Sequence, residues 1–194
     1  MPELGALAEL LSMLLLDPRT GVLLALLPIA ALIDWKTLRI PNWLTLGGMV
    51  LGLAVNAVAA PSLLAGIGSS AAGLAVGLLL LLPLWMVRIL GAGDVKLMAM
   101  VGTFVGPWAA LNATLYAVIA GGIAALLVAA LKGSLGRLLQ NLRFILTVAL
   151  TPASGVWRDA SMAARLPSVG TLPYGICICL GSAAYLVVRQ LGLA

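Results

Sequence analysis

Long apolar runs, separated by short polar or proline-containing breaks, make up most of the chain. Runs of about 20 residues are long enough to cross a bilayer as helices, and they fall at about residues 18–35, 43–60, 64–90, 108–131 and 172–188. A further run starts at Asp94 or Val95 and is broken at Gly106-Pro107, too short for a span at about 1.5 Å per residue. The pattern predicts an all-α, polytopic membrane protein of about six helices, one of them short, in a single domain over residues 1–194.

Two stretches are predicted to lie along the membrane or outside it. Residues 4–16 are apolar but too short to cross, so residues 1–17 are predicted to form an interfacial helix. Residues 132–171 are rich in basic side chains and are predicted to form a mainly cytoplasmic or interfacial loop. Only Arg19 and Arg189 of the eleven basic residues then fall on the outer side, in agreement with the excess of Lys and Arg in cytoplasmic loops.

Glycines four residues apart recur along three of the predicted helices. Residues at this spacing share one helix face, and small residues there let two backbones approach closely. Closely packed helices are therefore predicted at Gly48/Gly52, Gly73/Gly77 and Gly102/Gly106.

Composition narrows the chemistry that the chain can perform. Apolar residues make up 63% of the chain and His is absent, which excludes His-dependent nucleophilic catalysis and His-ligated metals. Cys177 and Cys179 lie two positions apart, so a helix points them to different faces and they suit neither a metal site nor a disulfide. We expect no metal and no cofactor. The basic residues that give the net charge of +5 lie at the ends of apolar runs, so no nucleic-acid partner is expected.

The segment Gly91-Ala92-Gly93-Asp94-Val95-Lys96 places a carboxylate where a membrane helix begins. An ionised Asp in the bilayer centre costs about 2.5–3.5 kcal/mol, so a carboxylate kept in such a helix points to function. The predicted topology puts Asp34, at the end of the first span, at the same depth and on the same side as Asp94. Two facing carboxylates cannot both ionise cheaply, so one keeps a proton while the other can activate water. This is aspartic-protease chemistry, which needs neither His nor a metal.

Other interpretations of the two carboxylates remain open at this point. Asp94 could cap the short helix, and Asp34 could be an interfacial anchor beside Lys36. Membrane carboxylates and a broken helix also occur in small proton- or ion-coupled transporters, although these usually bind near the midplane and often show internal repeats. A structural membrane subunit would tolerate Ala at both Asp positions. Two carboxylates at span ends, with no convincing repeat, favour the protease.

Three sequence blocks resemble those of the type IV prepilin peptidases, membrane aspartyl proteases with a GxGD signature. In chain order they are Ile33-Asp34 followed by Ile40-Pro41-Asn42, then Gly91-x-Gly93-Asp94-x-Lys96-Leu97, and then Leu172-Pro173-Tyr174-Gly175. The resemblance implies that Asp34 and Asp94 are the catalytic pair. The implied reaction removes a short basic leader from prepilins or pseudopilins at the cytoplasmic face of the inner membrane. Signal-peptide-peptidase-like proteases share GxGD, but their first Asp typically lies in a Tyr-Asp motif within a span.

The same resemblance indicates supporting residues around the pair. These are expected to shape the turns or to contact the pair or the substrate: Gly91, Gly93, Lys96, Pro41, Asn42, Pro173, Tyr174 and Gly175. Larger family members carry a cysteine-containing methyltransferase domain, and this sequence has no four-cysteine cluster. It therefore looks like the short form associated with tight-adherence (Flp-type) pili or an archaeal preflagellin-type relative. A prepilin substrate and membrane lipids are the expected partners, and the sequence indicates no oligomeric state.

Overall fold

The computed structural model describes residues 14, 16–86, 89–137, 139–140, 143 and 173–192, and all regular structure in them is helical. Six helices have described bounds: α1 (Pro18–Thr37), α2 (Asn42–Ala59), α3 (Leu63–Met86), α4 (Ala92–Val105), α5 (Pro107–Leu131) and α6 (Tyr174–Gln190). Helices α1, α2, α3 and α5 are long and apolar enough to cross a membrane, and α6 is a shorter apolar helix. The predicted all-α, polytopic architecture is confirmed. The predicted interfacial helix at residues 1–17, apart from residues 14, 16 and 17, and the predicted loop beyond residue 143 lie outside the described residues.

Local chemistry sets the two ends of α1. The Asp17 carboxylate accepts a hydrogen bond from the Arg19 N–H at 3.1 Å, and Pro18 opens the helix, as the sequence predicts. At the other end Leu38 adopts a left-handed conformation with φ of 51°, and its N–H donates to the Asp34 carbonyl at 2.8 Å. A left-handed L-residue costs about 1–2 kcal/mol. The chain therefore turns sharply just after Asp34, and this turn leads it into α2.

Helix α2 begins at Asn42, and Pro41 occupies the cap position before it with an extended backbone. Helix α3 is described through Met86, and Ile89 and Leu90, which the predicted span 64–90 includes, are not helical. The N–H groups of Ile89 and Leu90 both point to the Leu84 carbonyl, at 2.9 and 3.4 Å, in a wide turn that precedes Gly91.

The short helix α4 is the most buried helix of the bundle. Every residue from Asp94 to Phe104 except Lys96 is buried. Glycine faces on its two neighbours make this possible: Gly48 and Gly52 of α2 lie against Met100 and Thr103, and Gly73 of α3 lies against the Gly102 backbone. The close packing predicted from glycine spacing is confirmed, and it surrounds the helix that carries Asp94.

Helix α4 ends inside the bundle at Gly106, where its last carbonyl groups need donors. Two side chains from neighbouring helices supply them. The Asn56 amide donates to the Thr103 carbonyl at 2.7 Å and to the Phe104 carbonyl at 3.1 Å, and the Ser70 hydroxyl donates to the Thr103 carbonyl at 2.8 Å. Both side chains are buried. We refer to Asn56 and Ser70 as the carbonyl clamp of α4.

Candidate active site

Asp34 lies in the last turn of α1 with only 4% of its surface exposed. Its Oδ2 atom accepts a hydrogen bond from the Gly175 N–H, with 2.8 Å between the two atoms. Gly175 belongs to the first turn of α6, so the N-terminal end of that helix faces the carboxylate. Unpaired N–H groups and the helix dipole favour a negative charge at this end. The last described helix thus binds the first candidate carboxylate.

A side chain at position 175 would prevent this approach. A Cβ atom there would lie 2.8 Å from Asp34 Oδ2 and 3.0 Å from Asp34 Cβ. Contacts below 3.0 Å are essentially never seen for real Cβ atoms, so something would have to shift. Glycine therefore allows the α6 backbone to serve as the donor.

Asp94 is the third residue of α4 and is 9% exposed. Its Oδ2 atom accepts a hydrogen bond from the Gly91 N–H at 3.0 Å. The carboxylate therefore caps its own helix, but from inside the first turn rather than from the cap position, which Gly91 occupies. Each candidate carboxylate therefore faces the N-terminal end of a helix: Asp34 faces that of α6, and Asp94 that of its own helix α4. Each accepts one backbone N–H.

Helix α4 is too short to cross the membrane, so Asp94 lies outside the membrane-spanning helices. The pKa of its carboxyl group is raised from 3.8 to about 6. Burial is the largest cause, since it removes water from the charged form. The Gly91 N–H lowers the pKa, and the charge of Asp34 raises it again. The charge of Asp34 thus adds to the effect of burial, and both favour the protonated form of Asp94.

The loop between α1 and α2 lies against the GxGD turn. A Cβ on Gly93 would be 3.2 Å from Ile40 Cβ and 3.4 Å from Ile40 N, so a side chain at position 93 would require Ile40 to shift by a few tenths of an ångström. Lys96 Nζ donates to Asn42 Oδ1 at 2.8 Å. In the described part of the chain Lys96 therefore binds an amide rather than either carboxylate, and it ties the start of α2 to the first turn of α4.

The remaining predicted site residues lie at the start of α6 and in the turn before α4. Pro173 occupies the cap position of α6, and Gly91 is exposed beside Asp94. The Tyr174 ring lies against Gly121 of α5, and its hydroxyl is 3.5 Å from the Ala117 carbonyl. Tyr174 thus packs α6 against α5, and its predicted contact with the substrate stays a prediction.

The described residues contain no group of three or more Cys, Asp or Glu side chains that could hold a metal ion, and Cys177 and Cys179 are free thiols. The candidate site itself consists of two buried carboxyl groups, and burial favours the protonated form of Asp94. Such a pair can take a proton from water with one member and donate a proton with the other.

The chain is a polytopic helical membrane protein that buries two carboxyl groups, each of which accepts a backbone N–H at the start of a helix. Residues 21–126, more than half of the chain, match the model of the type IV leader peptidase family. The chain belongs to this family, and it is therefore an aspartic protease of the prepilin leader peptidase type. The match covers Asp34 and Asp94 and ends before α6. Neither the search of curated proteins nor the search of solved structures found a match.

Gly175→Ala is expected to lower peptidase activity by about 10- to 100-fold, because the added methyl group displaces the Asp34 carboxylate or its N–H donor by a fraction of an ångström or more. Gly122→Ala is the matched control, since a Cβ there meets nothing within 4 Å. Cleavage rates of both variants, measured on protein that elutes as a folded species, test this. Wild-type activity in Gly175→Ala would show that the close approach is not needed.

The raised pKa of Asp94 predicts how stability depends on pH. Between about pH 4 and pH 6 the folded protein binds more protons at this carboxyl than the unfolded chain does, so this group lowers stability as the pH rises through that range. Asp94→Asn removes this effect. Its melting temperature is expected to match wild type near pH 4 and to exceed it at pH 7.5, by an amount worth up to about 3 kcal/mol. An equal difference at both pH values would contradict the assignment.

Proposed function

We propose that Asp34 and Asp94 are the catalytic pair of this peptidase. The observation that carries the proposal is the burial of both carboxyl groups at helix N-termini, where the charge of one raises the pKa of the other. Burial raises the pKa of Asp94 towards neutrality, while the backbone N–H groups keep an ionised form accessible. A general acid–base pair needs one member in each protonation state near the working pH.

The proposed reaction is the hydrolysis of one peptide bond. The ionised carboxylate removes a proton from water, and the resulting hydroxide attacks the carbonyl carbon of the leader's last residue. The protonated carboxyl donates its proton to the carbonyl oxygen, which gives a neutral tetrahedral intermediate. A hydroxyl group of this intermediate then returns a proton to the carboxylate that donated one. The carboxyl group that took the proton from water gives it to the leaving nitrogen as the C–N bond breaks. The products are a new carboxyl terminus and a free amine.

We place the site at the cytoplasmic face of the inner membrane. Lys36 and Arg39 follow Asp34 by two and five residues and are exposed, which is typical of a cytoplasmic helix end. Trp35 and Trp43 flank the same loop and are 66% and 69% exposed, as expected of aromatic side chains at the level of lipid head groups. A site at this depth suits a substrate whose polar leader meets an apolar helix at the membrane surface.

The proposed substrates are prepilins or pseudopilins with short basic leaders, and those of tight-adherence (Flp-type) pili are our first choice. The resemblance of the three sequence blocks supports this choice. The protease family of the chain favours this function over the ion-coupled transporter that membrane carboxylates could also suggest.

A cleavage assay tests the proposal. The purified protein, in detergent or in liposomes, is mixed with a prepilin that carries a basic leader, and mass spectrometry locates the cut. We expect one cut at the end of the leader and no loss of activity with a chelator. In oriented vesicles, cleavage is expected only when the leader is offered to the face that exposes Lys36 and Arg39. Chelator-sensitive cleavage, or cleavage only from the opposite face, would contradict the proposed chemistry or the proposed orientation.

A further inference from the structure

The carbonyl clamp, Asn56 and Ser70, lies at the end of α4 opposite to Asp94. Asn56 is 5% exposed and Ser70 is fully buried, in helices that consist mostly of apolar residues. About ten residues separate Asp94 from the clamped carbonyls, a distance of roughly 15 Å along the helix axis. The hydrogen bonds of both side chains go to backbone carbonyls of α2 and α4, so an effect on catalysis must pass through α4.

From this geometry we propose that Asn56 and Ser70 are positioning residues that fix the height and rotation of α4 and thereby place Asp94 for catalysis. The inference rests on the catalytic role proposed for Asp94. Both side chains would then affect the reaction through α4, although neither lies near the carboxyl pair.

Helix α4 is confined between α2 and α3. Gly73 and Gly102 touch backbone to backbone, and Gly52 lies against the Thr103 and Phe104 side chains. These contacts restrict sideways movement of α4. Glycines carry no side chain that could form a directional bond to α4, so they do not by themselves fix its position along its own axis to a fraction of an ångström.

The carbonyl clamp resists movement of α4 along its axis and rotation about it. Moving α4 by one residue would shift its carbonyl groups by about 1.5 Å and turn them by about 100°. The Thr103 and Phe104 carbonyls would then lose the Asn56 and Ser70 donors in an apolar environment, where an unpaired carbonyl is costly. Hydrogen bonds with donor–acceptor distances of 2.7 to 3.1 Å therefore define one position of the helix.

A displacement of α4 at the clamp also reaches its other end, where Asp94 lies. Because the helix is rigid, a displacement at Thr103 appears undiminished at Asp94. Catalytic groups must be held within about 0.5 Å of their working geometry, and a misplacement of 1 Å can cost about 100-fold in rate. A small displacement of α4 at the clamp thus causes a large loss of catalytic rate at the carboxyl pair.

The test compares kcat and KM for prepilin cleavage among three variants. Asn56→Leu keeps the volume of the side chain but removes both N–H donors, and Ser70→Ala removes one hydroxyl. Thr114→Val is the control, because its buried hydroxyl donates within its own helix, to the Ala110 carbonyl of α5. Rates are expressed per folded enzyme, measured by near-ultraviolet circular dichroism at the assay temperature.

We expect kcat of Asn56→Leu to fall by about tenfold or more and that of Ser70→Ala by several-fold, with KM within about twofold of wild type. Thr114→Val should keep the wild-type kcat even where its melting temperature falls as far as that of Ser70→Ala. If Asn56→Leu does not fold, Ser70→Ala against Thr114→Val decides the matter.

Two failures can be told apart. Wild-type kcat per folded enzyme in Ser70→Ala and Asn56→Leu, with Asp94→Asn inactive, would overturn the positioning role and leave the proposed catalytic pair intact. Full activity in Asp94→Asn would instead overturn the catalytic pair. Equal losses of kcat in Ser70→Ala and Thr114→Val would assign the effect to general packing and would also overturn the inference.

Discussion

Asp34→Asn and Asp94→Asn are each expected to lower the rate of leader cleavage by about 1000-fold or more. An amide has nearly the shape of a carboxyl group but can neither take a proton from water nor donate one as an acid, and general acid–base catalysis contributes factors of about 10²–10⁴. The Asn side-chain oxygen can still accept the N–H of Gly175 or of Gly91, so the fold is retained. The double variant should be little worse than either single variant, because the pair acts as a unit.

Asp17→Asn is the control for these two variants. Asp17 also accepts an N–H at a helix N-terminus, but it is exposed and lies at the opposite end of α1. Its replacement should leave cleavage unchanged. The measurement is the initial rate of prepilin shortening for the four proteins at equal folded concentration. More than about a tenth of the wild-type rate in either single variant would rule out the proposed pair.

Gly73→Ala and Gly102→Ala are expected to have the largest effects on stability. A Cβ on Gly73 would collide with the Gly102 carbonyl, and a Cβ on Gly102 would collide with the Gly73 carbonyl. Both obstacles are backbone atoms, so no side chain can move aside. Forcing apart two closely packed helices should cost about 3 kcal/mol or more, or prevent folding altogether.

Gly68→Ala in α3 is the matched control for the glycine variants. A Cβ there meets nothing within 4 Å, and Ala is a better helix former than Gly by about 0.8–1 kcal/mol. Thermal unfolding in detergent should therefore show Gly68→Ala at or above wild type and both other variants far below it. A melting temperature for Gly73→Ala close to that of Gly68→Ala would mean that α3 and α4 do not need the close contact.

Features governed by local chemistry could be predicted from the sequence. The Gly106-Pro107 break and the four-residue glycine spacing both rest on residues near one another in the chain, and the structure agrees with both. The depth of a carboxylate follows from the same patterns, which is why Asp34 and Asp94 stood out. Whether the pair performs the reaction stays a prediction until the Asn variants are measured.

Features that depend on how distant helices meet could not be predicted in the same way. Asn42 was predicted to support the site, but its contact with Lys96, 54 positions away, depends on how α2 meets α4. Asn56 and Ser70 were not predicted as partners of α4, because the carbonyl groups that they bind lie on a different helix. A single Asn in the middle of an apolar span was the available signal, since buried amides need partners.

The hydrogen bond between Gly175 and Asp34 joins residues that are 141 positions apart. During synthesis, α1 through α5 emerge and can assemble well before α6 exists. Until α6 inserts, Asp34 has no helix N-terminus facing it, and its environment differs from that of the finished protein. The carboxyl group of Asp34 therefore reaches its final environment only when α6 packs against α1, and the proposed pair with Asp94 is completed by the last described helix rather than by the first five.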